Sequence, residues 1–493
     1  MNERCQVNMM ESGSVGSLTA RVDHSRWKRL TEIWLWAAIA VLSFHAAYAW
    51  SKTGFFVCVY LFALVQLARA NSWRKAFYAG LAVGVAIGAV KLAFFWRIFS
   101  AGAIALWLVY AIWIGLFAAL GRVCLKKAGT PFGWITLPFI WCGLEYFRSE
   151  LYYLRFSWLS PAMAFGLTPQ QVPLHDVGVY GLSFLLMGIA CGAAFLWQDS
   201  RSKAAAVLIA GVCGLWLWAS LSRPSEQPSA QVQIAGVQME FPTEQEVLVR
   251  LNELIRKYPQ AQLLVLSEYT FSEPIPEKIL KWCQEKAKYL IVGGKEPVSG
   301  NFYNTAFVIS PEGKIVFRQA KSVPIQFFKD GLPAPEQRVW DSPWGKIGIC
   351  ICYDLSYSKV TDKLVQLGAK ALVVPTMDVA DWGQRQHELH ARIAPLRAAE
   401  YGVPVFRVAS SGISQAIDQK GCVRATAPFL GEGAMLSTTL EIGAAGRRPL
   451  DRWLAPLATV ATGLLIGFFF LRSFLTWITA KEGQARKATT EIR

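Results

Sequence analysis

The chain has 493 residues and a formal net charge of +16, with 50 Lys and Arg against 34 Asp and Glu. Its apolar residues, 53% of the total, crowd into 30–222, whereas 223–450 has an ordinary water-soluble composition. That unevenness excludes a single soluble domain, and basic residues scattered over loops rather than gathered in one stripe argue against nucleic-acid binding.

Residues 1–29 form a polar leader carrying Arg21, Arg26, Lys28 and Arg29. It is too long for the polar region of a cleavable signal peptide, and no small-residue cleavage site follows the first apolar stretch. Crossing a bilayer takes about 20 apolar helical residues. Stretches near 33–50, 54–70, 76–96, 102–121, 130–147, 178–197, 204–222 and 453–477 suggest about eight spans, the second and fifth near the lower length limit. Lys and Arg gather in alternate connections: the leader; Arg69, Arg74 and Lys75; Arg122, Lys126 and Lys127; Arg201 and Lys203; Lys481, Arg486 and Lys487. Positively charged loops stay in the cytoplasm. The pattern predicts a cytoplasmic leader at 1–29, a transmembrane domain of about seven helices at 30–222, a domain outside the cytoplasm at 223–450, a last transmembrane helix at 451–478 and a cytoplasmic tail at 479–493. The excess positive charge is then anchoring charge and a surface facing phospholipid.

From Ala230 onward short apolar strands alternate with helices. Strands are predicted at 231–238, 262–267, 288–293, 304–310, 314–320, 346–352, 370–375, 403–409, 414–418, 421–426 and 433–442, and helices at 243–257, 276–287, 355–367 and 384–401. This order suits layered sheets covered by helices, an α/β architecture. Of ten cysteines, only Cys283, Cys350, Cys352 and Cys422 fall in this domain, without the paired spacing of a disulfide framework.

Three of the apolar runs end in a reactive group: Leu263 to Glu268, Ile315 to Lys321, and Lys346 to Cys352. An acid, a lysine and a cysteine, each at the mouth of its own strand, suit acyl transfer through a thioester. A thiol attacks as the thiolate and so needs a base beside it, and the tetrahedral intermediate needs fixed positive groups at its oxygen. Strand alternation predicts that Cys350 and Cys352 share a face. Cys352, nearer the turn, is the expected nucleophile, and Cys350 a small core residue.

Together Leu266-Ser-Glu268, Tyr303-Asn-Thr-Ala306, Arg318-Gln-Ala-Lys321, Gly348-Ile-Cys-Ile-Cys-Tyr-Asp354, Arg397-Ala-Ala-Glu400, Arg407 and Ser411-Gly-Ile-Ser414 resemble the nitrilase, or carbon–nitrogen hydrolase, superfamily with its Glu–Lys–Cys triad. Leu137 to Arg148, Arg155-Phe-Ser-Trp158 and Gly178 to Phe184 look like the apolipoprotein N-acyltransferases, and Trp382-Gly383, Gln386-His387 and Ala391-Arg392 look similar to that family too. The resemblance implies an α-β-β-α sandwich inserted into a polytopic helical membrane domain. It also implies location in a bacterial inner membrane with the catalytic domain on the periplasmic side. The implied activity moves an acyl chain from a phospholipid, through a thioester, to the N-terminal amine of a diacylglyceryl-cysteine lipoprotein, without cofactor or metal. Glu268 would accept protons, Lys321 and the Tyr353 backbone N–H would stabilise the oxyanion, and Cys352 would attack. The helix after Cys352 is expected to lower its pKa.

The resemblance departs at one loop. The family's catalytic lysine is usually followed by a segment like His-Leu-Val-Pro-Phe-Gly-Glu, but Lys321 is followed by Ser-Val-Pro-Ile-Gln-Phe-Phe-Lys-Asp-Gly331. Gln326 and Asp330 are both candidates for the missing glutamate's role. Further support is expected from Tyr353, Asp354, Trp382 and His387, and from Arg155 and Trp158 at a phospholipid headgroup boundary. His387 and His390 are three apart, with no third ligand spaced for zinc. Glu145 and Arg148, also three apart at the end of a span, are expected to pair. His45 and Lys91 are poor evidence for a transporter's proton path. A membrane-tethered amidase with the same triad, or a silent scaffold, are the rival readings.

Overall fold

Every one of the apolar stretches is helical in the computed structural model, which describes residues 31–127, 132–222 and 228–491. The leader expected at 1–29 lies outside the described residues, as do the side chains of Lys127, Lys481, Arg486 and Lys487. The helices are α1 (Thr31–Ala47), α2 (Phe56–Ala68), α3 (Trp73–Lys91), a short α4 (Phe94–Phe99), α5 (Gly102–Lys127), α6 (Phe132–Tyr146), α7 (Leu174–Leu196), α8 (Arg201–Leu221) and, after the α/β domain, α14 (Asp451–Glu491). Ser72 and Ser200 start α3 and α8 by accepting the backbone N–H groups of Lys75 and Lys203. At Gly84 a Cβ would meet the Ala111 Cα at 2.5 Å, so α3 and α5 touch backbone to backbone, as small residues allow between apolar helices.

Of the eight spans expected, four helices among the described residues are long and apolar enough to cross a membrane by themselves: α5, α7, α8 and α14. The 13 residues of α2 rise only about 20 Å at 1.5 Å each, short of a hydrocarbon core of about 30 Å.

The α/β domain has two six-stranded sheets. The first runs in the order β12-β1-β2-β3-β4-β5, with β1 (Ala230–Val237), β2 (Leu263–Val265), β3 (Tyr289–Val298), β4 (Asn301–Ile309), β5 (Ile315–Ala320) and β12 (Met435–Ile442). The second runs β11-β10-β9-β8-β7-β6, with β6 (Val339–Ser342), β7 (Gly345–Ile349), β8 (Ala371–Thr376), β9 (Val405–Ala409), β10 (Ser414–Ile417) and β11 (Val423–Ala427). Alternation along the strands builds the layers. Ile234, Leu263, Val265 and Ile291 join the core shared with Ile347, Ile349, Val373 and Phe406, between the sheets. Their neighbours Ala235, Leu264 and Leu290 face outward under α9 (Glu244–Lys257) and α10 (Glu277–Lys286), through Val247, Leu251, Leu254 and Ile279. On the far side α11 (Ser358–Gln366) and α13 (Ile393–Tyr401) cover the second sheet, α13 also packing against α7.

Three local expectations change. The strand β6, paired antiparallel with β7, was not legible because the short turn at Pro343–Trp344 masks its alternation. The helix expected over 384–401 is two, α12 (Gln384–Ala391) and α13, because Pro395 cannot follow the Ala391 carbonyl in a continuous helix. β7 stops at Ile349, so Cys352 is not a strand residue but opens a 3-10 turn, Cys352–Ser356, with φ +52°.

Candidate active site

Glu268 lies three residues beyond the end of β2, Lys321 one beyond β5, and Cys352 three beyond β7, so the mouths of both sheets bring the sequence's three candidates together. The Glu268 turn lies so close to β3 that a Cβ on Gly293 would meet the Glu268 Cα at 2.6 Å. Lys321 Nζ is 2.8 Å from Glu268 Oε1 and 2.8 Å from Asp330 Oδ2. Asn304, within β4, donates its side-chain N–H to Glu268 Oε1 at 2.6 Å and to Asp330 Oδ1 at 3.0 Å, and its carbonyl accepts the Lys321 backbone N–H at 2.8 Å. The Met377 N–H donates to Glu268 Oε2 at 2.7 Å, while the Met377 carbonyl lies 3.6 Å from Cys352 Sγ. One residue at the end of β8 therefore ties base to thiol.

All of these groups are buried, and that decides their charge. Burial raises Glu268 above the ordinary carboxylate value, with Lys321 pulling the other way. Burial works against the charge of Lys321, but Glu268 and Asp330 hold its pKa well above the ordinary lysine value. Burial likewise opposes ionisation of Asp330, yet Lys321 and the hydrogen bonds from Ile325 and Tyr269 keep it below the usual range. The Cys352 thiol is pushed well up, first by burial and then by Glu268. The expected depression by a following helix is overturned: the element after Ile351 is a five-residue 3-10 turn, and desolvation outweighs it. The Cys352 thiol therefore rests neutral beside the Glu268 carboxyl.

Of the divergent loop's two candidates, Asp330 is the one that reaches Lys321. It accepts from the Tyr269 hydroxyl at 2.8 Å and the Ile325 N–H at 2.8 Å in addition to Lys321 and Asn304. Gln326 points away, donating to the Tyr153 carbonyl at 2.9 Å. Asp354 accepts the N–H groups of Ser322 (3.0 Å), Val323 (2.7 Å) and Ile351 (3.2 Å), binding the Lys321 loop to the Cys352 turn; burial raises its pKa to about 6. Cys352 lines the pocket and Cys350 does not; burial, then Asp354, push the Cys350 thiol well up.

Beyond the thiol an apolar pocket opens, with an enclosed volume of about 130 Å³ and an open rim. Phe94, Phe95 and Ile98 of α4, with Tyr110 and Trp113 of α5, form one wall; Phe327, Phe328 and Trp382 form another; Cys352 and Tyr353 line the end. The apolar half also grips the Cys352 turn. Glu150 accepts the N–H (2.9 Å) and hydroxyl (2.6 Å) of Ser358, and Trp158 donates to the Ser356 hydroxyl at 3.2 Å. The Arg155 carbonyl accepts from the Tyr353 hydroxyl at 3.2 Å, and its guanidinium lies over Tyr357.

Residues 230–445 match the family model for carbon–nitrogen hydrolases, and residues 36–192 match that for the apolipoprotein N-acyltransferase N-terminal domain. Along both halves the chain is similar to the apolipoprotein N-acyltransferases. It is 27% identical over 361 residues to the apolipoprotein N-acyltransferase of Geobacter metallireducens, covering 63% of this chain and 68% of that one. To the enzyme of the same name in Shewanella oneidensis it is 22% identical over 459 residues, covering 82% and 86%. Among solved structures, Nit3 of Saccharomyces cerevisiae is similar at 21% identity with a TM-score of 0.37, over 43% of this chain and 91% of that one.

This likeness does not make every expected residue converge. His387 is buried, its ring 4.3 Å from that of Phe429 and both ring nitrogens without hydrogen bonds, whereas His390 lines the pocket. Glu145 and Arg148 do not pair: Glu145 accepts from Ser183 at 3.1 Å, and Arg148 donates to the Phe156 carbonyl at 2.8 Å as the chain leaves α6 through a π-turn. Asn304 lies inside the Tyr303–Ala306 motif with no role assigned to it, and Met377 and Asp378 carry no signal, since residues past a strand end have common packing roles.

Proposed function

We propose that this protein is a membrane-embedded N-acyltransferase that carries an acyl chain on Cys352 from a phospholipid to the N-terminal amine of a diacylated lipoprotein. The family supports this reading, and the observation that carries it is the apolar pocket, walled by α4 and α5, that ends on the Cys352 thiol. An acyl chain lying among Phe94, Phe95, Tyr110 and Trp113 brings its ester carbonyl to the sulfur without entering water.

Glu268 takes the thiol proton as Cys352 attacks the ester carbonyl. Lys321, with the Tyr353 backbone N–H, holds the oxyanion, and Glu268 returns the proton to the departing lysophospholipid. The amine of the second substrate then attacks the thioester. Asp330 keeps Lys321 charged and aimed, the role for which the family's loop glutamate is absent here. The four long helices span outright and the shorter apolar ones complete the eight by packing among them, α2 buried along nearly its whole length, with both termini in the cytoplasm and the α/β domain on the periplasmic face of the inner membrane.

Incubation of the purified protein with phosphatidylethanolamine, followed by intact mass, should give one acyl adduct that Cys352→Ala abolishes and Cys350→Ala retains. A diacylated lipopeptide should discharge the adduct as N-acyl lipopeptide. Discharge only as free fatty acid would make the protein a hydrolase, and an adduct persisting in Cys352→Ala would end the reading.

A further inference from the structure

The second half-reaction leaves a proton unaccounted for. An α-amine has an ordinary pKa of about 7.7–8.0, so near neutral pH much of it arrives as an ammonium with three N–H bonds. The amide product keeps one of them. When the C–N bond forms and the C–S bond breaks, one released proton passes through Glu268 to the Cys352 sulfur, regenerating the thiol. The other must leave before the nitrogen has a lone pair with which to attack, and Lys321, held charged between two carboxylates, cannot take it.

A buried group that the triad does not use stands on the pocket wall. His390 lines the pocket that ends on Cys352, its ring stacked on Trp158 with centroids 4.9 Å apart and planes at 16°. Its Nδ1 is 2.7 Å from Asp378 Oδ1. Asp378 also accepts from Gln386 at 3.1 Å and from Arg407 at 2.5 Å, and it directly follows Met377, whose peptide ties Glu268 to the thiol. Around His390 stand Asp378 after β8, Arg407 on β9 (3.1 Å from Nδ1), His387 on its own helix and Trp158 from the apolar half.

Resting on the acyltransfer reading, we propose that His390, oriented by Asp378, accepts the first proton of the incoming ammonium, freeing the amine to attack the Cys352 thioester. The proton passes from the substrate nitrogen to Nε2 and then to water at the pocket rim, while Nδ1–H stays on Asp378, as in other carboxylate-held imidazole bases. Burial lowers the His390 pKa, against the pull of Asp378, so the ring rests neutral and ready to accept. Asp378 itself stays ionised, since His390 and Arg407 outweigh the effect of its burial.

The test separates the two half-reactions. Wild-type protein and His390→Gln are charged with phosphatidylethanolamine, and adduct formation is followed by mass; the adduct is then discharged with a diacylated lipopeptide across pH. Adduct formation should change far less than discharge does. Discharge should slow roughly 10²-fold near pH 6.5 and recover toward wild type near pH 9, where the amine is already neutral. Hydroxylamine, uncharged at neutral pH, should discharge both proteins equally. Wild-type discharge rates in His390→Gln at all pH values would overturn the role, as would an equal loss with lipopeptide and hydroxylamine, which marks a structural defect. Failure of the wild type to form any adduct would instead overturn the acyltransfer reading on which the role rests.

Discussion

On one side of Cys352, Lys321 holds Glu268 and Asp330 at 2.8 Å each, all three buried. On the other, Phe94, Phe95, Tyr110, Trp113 and Phe156 present rings, and no carboxylate lines that pocket among the described residues. The polar wall comes from the mouths of β2, β5 and β8, and the apolar wall from α4 and α5. The contrast separates two tasks: charge is concentrated where the carbonyl reacts, and the long chain is received by surface that asks nothing of its polarity. It also explains why a thiol with so high a resting pKa is tolerable. The apolar wall that desolvates Cys352 strengthens every interaction that Glu268 and Lys321 make with the reacting atoms.

Stripping charge from the polar wall should break this contrast most severely. Glu268→Gln should slow adduct formation by roughly 10²–10⁴-fold in single-turnover mass measurements. Lys321→Ala should do at least as much and also lower the melting temperature, because two buried carboxylates lose their partner at a cost of about 3–5 kcal/mol. Near-normal transfer by either variant would mean that the polar wall is not catalytic.

Asp330→Asn and Gln326→Ala sharpen the comparison within the loop. The first should slow turnover by roughly tenfold or more, through loss of a charge-assisted contact to Lys321. The second should cost under twofold, about 0.4 kcal/mol. Single-turnover rates that reverse this order would return the supporting role to Gln326.

The acid side of the rate profile offers a smaller effect. Burial raises the Glu268 pKa, and the base acts only when ionised. Adduct formation should therefore fall with decreasing pH at values above the ordinary glutamate range of about 4.3. A midpoint at or below that range would mean that water, not the pocket wall, surrounds the carboxylate.

Trp158→Phe should have a modest effect. It keeps a ring on His390 but removes the hydrogen bond to Ser356, worth about 1 kcal/mol, so adduct formation should slow by roughly fivefold. No change would show that the apolar half does not position the turn.

The two walls were not equally legible. Glu268, Lys321 and Cys352 could be read because each ends an apolar run, and the alternation of β1 to β5 shows directly in their residues. Their complete burial could not, since the covering groups arrive from the other sheet and from α4 and α5. Asp330 is nine residues beyond Lys321, and only the loop's return makes it a partner. His390 and His387 are both on α12; which of them faces the pocket depends on the break before Pro395 and on Trp158, a residue 232 positions away from His390. Apolar length predicted helices correctly but not how far each one reaches.

Arg452, at the start of α14, has consequences for traffic through the site. Its guanidinium binds Asp362 at 2.7 Å, Glu400 at 3.0 Å and Asp451 at 2.5 Å, so the segment that returns the chain to the apolar half is bolted to α11 and α13. Among the described residues, this connection is a tie between the two halves rather than a free linker. Under the acyltransfer reading, donor, spent donor and acceptor must enter and leave sideways through the same rim, one after another. Their exchange is then a queue in the plane of the lipid, and its pace is set by lateral diffusion rather than by opening of the protein.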